Sequence, residues 1–259
     1  MRANVILGVL ALAAVTAEPA VAQTRPASQP RAAARITGSW EIYPLRGEGF
    51  GSGVQPKVPV AAPKPVPEAP LRQPHLDAWR KLLADNAELT RKGLPPLSTG
   101  MACMPDGMPA MMQATFPMEI LETPGQVTII QEAFNQVRRI YLNATLPAVD
   151  DADPRFNGHS SGRWEGTTLV VTTIGVKENA RFRNVPHSAK MRVTERLRLL
   201  NDEMLENQVT VEDPEYLTGP WTWTWMYKRW PGYKIEEYVC EDNRYFEDPA
   251  QKYQRLRVN

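Results

Sequence analysis

From Phe116 onward the chain is a succession of short runs of strand length, divided by turn residues, with no helix-length run between them, and few architectures accept such a pattern. FPMEILET and GQVTIIQE flank Pro124-Gly125, a pair suited to a type II turn. QVRRIYL, TTLVVTTI, KMRVTERLRLL, MLENQVTVE, WTWTWMYK and KIEEYVCE follow, with Asn201-Asp202 and Pro231-Gly232 as tight turns. An earlier run, RITGSWEIYPL over Arg35–Leu45, reads as a first strand, which brings the total to about nine. Strands in sequence without intervening helices predict an antiparallel barrel or a sandwich.

Two further segments stand apart from this pattern. Residues 46–74 pass from Gly-rich to Pro-rich, with Pro56, Pro59, Pro63, Pro65, Pro67, Pro70 and Pro74 in close succession. Proline lacks the amide proton that a sheet ladder needs, so this is an extended connection outside the sheet interior. Residues 75–92 place Leu76, Trp79 and Leu83 at helical spacing, with Leu82 and Leu89 beside them and Gly93 as terminator, and predict one amphipathic helix.

The first 22 residues read as a secretory signal peptide: Arg2, an apolar stretch from Val5 to Val15, then Ala20-Val21-Ala22 ahead of Gln23. Residues 23–34 read as a flexible arm and residues 35–259 as one β domain. The expected location is the periplasm or the exterior. No later apolar run approaches the roughly 20 residues of a membrane helix, so no membrane insertion is expected after cleavage. A net charge of +1 with interspersed signs leaves no footprint for nucleic acid. Nothing in the chain implies a cofactor or names a protein partner.

In an oxidising compartment the two cysteines, Cys103 and Cys240, are expected to pair. The rival reading of this region is a soft-metal site, because Met101, Met104, Met108, Met111 and Met112 crowd Cys103. Methionine more often fills gaps in a core.

Alternation along a strand assigns side chains to faces. In KMRVTERLRLL, Glu195 falls with Met191, Val193, Leu197 and Leu199 on the apolar side, and a carboxylate there requires a partner. By the same test Arg139 goes with Val137 and Tyr141, and Asn207 with Leu205, Val209 and Val211. Trp221, Trp223, Trp225 and Tyr227 form an aromatic ladder on one face. The predicted ligand-binding set is therefore Arg139, Tyr141, Asn207, Trp221, Trp223, Trp225 and Tyr227, around a small apolar or aromatic molecule inside the barrel. The plain alternatives are an Arg139–Glu195 pair of structural value and simple cross-strand aromatic packing.

His159 and His187 each precede a serine, in GHSSGRWEG and VPHSAK, and both segments read as connections between strands. With Glu195 they form a candidate catalytic set for proton transfer, as a cofactor-independent lyase, hydratase or isomerase. No paired metal spacing and no G-x-S-x-G elbow is present.

GHSSGRWEGTTLVVTT, with RRIYL before it and PHSAKMRVTERLRLLNDEMLENQVTVEDP and EYVCE after it, resembles a large family of exported bacterial proteins of sphingomonad and acidobacterial type, to which no settled activity attaches. The resemblance spans roughly Cys103 to Asn243 and marks Arg138, Arg139, Tyr141, His159, Ser160, Glu195 and Cys240 among its motif positions. Members usually carry Asp where this chain has Thr167 and Thr172. Gly38-Ser39-Trp40 on the first strand is also similar to the G-x-W of lipocalins, and that resemblance implies a lipocalin-like barrel with the Trp near its closed end.

Overall fold

The computed structural model describes residues 36–44, 51–94 and 103–239, and the backbone of two further strands, Tyr245–Asp248 and Tyr253–Leu256, which pair with each other. Nine strands close into a barrel, neighbour to neighbour in chain order: β1 (Gly38–Tyr43), β2 (Met118–Thr123), β3 (Gln126–Gln131), β4 (Gln136–Leu142), β5 (His159–Glu165), β6 (Thr168–Ile174), β7 (Arg192–Asn201), β8 (Met204–Glu212) and β9 (Trp221–Arg229). The mainly β barrel is as expected. Its pairing is mixed, however, because β4 runs parallel to β5 while every other pair is antiparallel. A parallel pair needs a long crossover, and here residues 143–158 supply it.

Two strand assignments change. GHSSGRWE, read as a connection, is strand β5, and it escaped the alternation test because its inward positions are Ser160, Gly162 and Trp164 and not a row of aliphatics. Gly162 is required there: a Cβ would lie 2.7 Å from Ile140 Cγ2 on β4. The run KIEEYVCE forms no strand within its described part, residues 234–239. That segment instead lies across the β3–β4 turn, where Asn135 Nδ2 donates to the Tyr238 carbonyl and Tyr238 packs edge-on to Phe116.

The interior is made by the inward rows that the pleat dictates. Met118 and Ile120, Val127 and Ile129, Leu169 and Val171, Val193 and Leu197, Val209 and Val211 all lie in one buried cluster. Met108, Met111 and Met112, on a loop and a single 3-10 turn, are wholly buried in the same cluster, and Tyr227 Oη donates to the Met112 carbonyl at 2.5 Å. The methionines thus serve as core filler. Trp40 is fully buried near the start of β1, its Nε1 donating to the Ile36 carbonyl at 2.9 Å, with the Arg229 guanidinium 4.1 Å over its ring. Gly38 has φ +116°, and a Cβ there would meet Arg229 Nη1 at 2.9 Å, which explains the glycine two residues before this tryptophan.

Helix α1 covers His75–Arg91. Its inner face runs through Leu76, Trp79 and Asn86, and Trp79 Nε1 donates to the Arg183 carbonyl. Leu83, expected on that face, is exposed. The Pro-rich connection forms no ladder over residues 51–70, yet it packs on the barrel, with Trp221 Nε1 donating to the Pro67 carbonyl and Leu71 bridging Leu217.

Candidate functional site

The strand faces decide where each expected site residue stands. On β4 the inward row is Gln136, Arg138 and Ile140, whereas Val137, Arg139 and Tyr141 face outward. The expected placement of Arg139 and Tyr141 inside the barrel is therefore corrected. The register shows why: Ile129 opposes Arg138 and Val127 opposes Ile140, so the aliphatic row of β3 draws the even-numbered residues of β4 inward. An Arg-Arg doublet always sends one arginine to each face, and Val137 and Tyr141 suggested the wrong one.

Glu195, 0% exposed, pairs with Arg138, 1% exposed. The remaining contacts complete a buried polar cluster. Arg138 Nε donates to Ser160 Oγ at 3.2 Å and Nη2 donates to Thr173 Oγ1 at 2.9 Å, while Asn207 Nδ2 donates to Glu195 Oε1 at 3.0 Å. Ser160 and Thr173 hydroxyls bond each other at 2.8 Å. Asn207 and Tyr227 face inward as expected, and burial pushes the Tyr227 hydroxyl above its usual range. Both Glu195 oxygens are engaged, so this carboxylate is the counter-ion of Arg138.

The aromatic ladder also faces inward, but its surface is covered. Phe182, from the β6–β7 connection, stacks on Trp223 at 5.1 Å between centroids and lies 5.7 Å from Trp221 and 5.4 Å from Trp225. The hollow beside Trp221 measures about 20 Å³, room for one water. Trp221, Trp223 and Trp225 thus form a packed wall with no ligand-sized space at that hollow, which corrects their expected role.

The three residues expected to act as acid and base are held by different partners. His187 is buried with Nδ1 and Nε2 each 3.0 Å from a carbonyl, of Ser188 and Ala180. Beside it Asp213, which the sequence reading passed over, accepts from the Ser188 amide at 2.6 Å and from the Ser188 hydroxyl at 2.9 Å. That is loop anchoring. His159 meets the Asp153 carbonyl through Nε2 at 2.8 Å. Among the described residues no three His, Cys, Asp or Glu side chains are grouped to hold a metal. Cys103 is described, with φ +51°, while Cys240 lies outside the described residues, as does Met101.

What the fold does assemble is a cleft at the parallel seam. β4 and β5 pair only over Ile140–Leu142 and Ser160–Gly162. Below that point the first half of β4 separates from the end of the crossover and leaves a cleft of about 390 Å³, within the size range of ligand sites. Arg139 and Tyr141 from β4, Arg155 and Phe156 from the crossover, and His159 from β5 line it, with the buried Arg138 and Ser160 at its floor. No Asp or Glu is among its lining residues. Arg139 and Arg155 form no ion pair among the described residues. Three of the sequence-derived residues, Arg139, Tyr141 and His159, thus meet outside the barrel. Arg155 and Asn157 were missed, because a crossover without alternation gives no face signal.

A larger groove of about 560 Å³ lies elsewhere, but Arg72, Lys190 and Arg192 there face Asp150, Glu212 and Asp213, so its charges balance. The seam cleft carries the uncompensated charge. Comparison with protein-family models and with curated proteins finds no match for this chain.

Proposed function

We propose that this chain is an exported β-barrel protein that binds a small anionic molecule in the cleft at the β4–β5 seam. The observation that carries the reading is the charge of the lining: Arg139 and Arg155, in no ion pair among the described residues, beside a ligand-sized cleft lined by no carboxylate, while Arg138 at the floor is neutralised by Glu195. Guanidinium groups match carboxylate and phosphate oxygens in a planar, two-point geometry. Tyr141, 51% exposed, offers a ring face to an apolar or aromatic body on the same ligand. The small molecule read from the sequence is retained; its place moves from the barrel interior to the seam.

Export rests on the leader-like residues 1–22, and with it goes a Cys103–Cys240 disulfide tying the Met-rich loop to the segment after β9. The likeness to the exported family of sphingomonad and acidobacterial type supports the same location. A mature N-terminus at Gln23, and an intact mass two protons below the dithiol form, are the expected outcomes for protein recovered from a periplasmic fraction.

The test of binding is calorimetry with benzoate, phenyl phosphate and the neutral benzamide. The two anions are expected to bind and the amide not, with affinity falling as salt rises. Replacing both Arg139 and Arg155 by Ala should weaken the anions at least tenfold, about 1.4 kcal/mol or more. Unchanged affinity in that double variant refutes the site.

A further inference from the structure

The cleft is not uniformly a donor surface, and the exceptions define what else its ligand must carry. His159 is held along one edge of its ring: Nε2 lies 2.8 Å from the Asp153 carbonyl, and Cδ2 lies 3.1 Å from the position of a Cβ on Gly175. A carbonyl oxygen can only accept, so in the neutral imidazole the proton sits on Nε2 and Nδ1 presents a lone pair. The Nε2–Cδ2 edge is occupied by Asp153 and Gly175, which leaves the opposite edge, with Nδ1, for the cleft that His159 lines. Gly175 has φ +65° and its Cβ would lie 2.9 Å from the Ala152 side chain, so this packing against the ring depends on glycine.

Asn157 adds a second acceptor to the same cleft. Its Nδ2 reaches the Val137 carbonyl at 3.4 Å, while its Oδ1 is buried and has no partner among the described residues. On the donor side, Arg138 Nη1 at the floor is likewise buried and unpartnered. A simple anion would satisfy the arginines and leave the buried Asn157 Oδ1 unmet, and an unmet buried acceptor is costly.

Resting on the anion-cleft reading, we infer that the ligand is a hydroxylated carboxylic acid: its carboxylate lies on Arg139 and Arg155, and its hydroxyl protons are donated to His159 Nδ1 and Asn157 Oδ1. An ammonium donor is disfavoured beside two uncompensated guanidinium groups, which is why the donor is assigned as hydroxyl. His159 is thereby the residue that discriminates between acids.

Calorimetry at pH 7.5 with benzoate and 3,4-dihydroxybenzoate tests this on the full mature protein. The dihydroxy acid is expected to bind about tenfold more tightly or better, the increment of one to two well-formed hydrogen bonds. Arg155→Ala should weaken both acids by a similar factor. His159→Phe should bring the ratio of the two affinities close to one, and His159→Gln, which restores an acceptor, should recover part of it. The wild-type protein supplies an independent readout through its imidazole nitrogen resonances: dihydroxybenzoate, and not benzoate, should shift the His159 Nδ1 signal. Equal binding of the two acids by the wild type, or a His159 Nδ1 signal indifferent to the hydroxyls, overturns the inference while the anion cleft stands. Binding of neither acid overturns both.

Discussion

Replacing Glu195 by Leu would remove the only carboxylate bound to Arg138 among the described residues and leave a guanidinium that is 1% exposed without that counter-ion. Breaking a buried pair in this way costs about 3–5 kcal/mol. The same change frees Asn207 Nδ2, which now donates to Glu195 Oε1 at 3.0 Å, and an unmet buried amide adds about 1–3 kcal/mol. A loss of about 4–8 kcal/mol is a large part of the stability of any domain of this size. The double change of Glu195→Leu with Arg138→Met behaves differently, because both charges leave together. Ser160 and Thr173 continue to bond each other at 2.8 Å, and only Asn207 lacks its partner. The double variant should therefore fall within about 2 kcal/mol of the wild type, with a coupling energy above about 3 kcal/mol. Urea unfolding followed by fluorescence of the seven tryptophans measures all four proteins of the cycle. A single variant that loses less than about 1.5 kcal/mol, or a double variant as unstable as the sum of the singles, would show that the pair is solvated and the reasoning wrong.

Gly38→Ala, at φ +116° and with its Cβ 2.9 Å from Arg229 Nη1, should destabilise by about 1–3 kcal/mol, read as a lower urea midpoint; an unchanged midpoint excludes the clamp of Arg229 on Trp40. Trp223→Ala should cost about 3–5 kcal/mol through lost contact with Phe182 and still bind benzoate normally when the variant is folded, whereas loss of binding alone would restore the ladder as a ligand wall. Burial raises the Asp106 carboxyl above its ordinary 3.8, so the folded state holds a proton that the unfolded state has released, and stability falls as pH rises through that window. Asp106→Asn should accordingly raise the melting temperature at pH 7 and have no such advantage below pH 3.8; an equal effect at both values dismisses the titration. The Tyr227 and Tyr233 hydroxyls are also raised from 10.0, chiefly by burial, so stability should fall steeply above that pH, and Tyr227→Phe should make the fall shallower.

Period-2 alternation, read from the sequence alone, determined eight of the strands and the buried position of Glu195, because a carboxylate among Val193, Leu197 and Met191 has only one face to occupy; it left barrel and sandwich open, and the G-x-W likeness to lipocalins pointed to the barrel. Alternation equally determined that the Trp221 row turns inward. What it left open was set by contacts between distant segments. Which arginine of the 138–139 doublet enters the core depends on register with β3, and register is a property of two strands together. Whether an inward aromatic row bounds a cavity depends on what fills the space before it, and Phe182 comes from another connection, some 40 residues earlier in the chain. β5 is marked by small inward residues whose meaning appears only when Ile140 is seen against Gly162. The cleft itself exists because a parallel pair of three residues cannot continue along β4, so Arg139, Arg155 and His159 meet where the ladder stops. A single strand carries no record of where its neighbour parts from it.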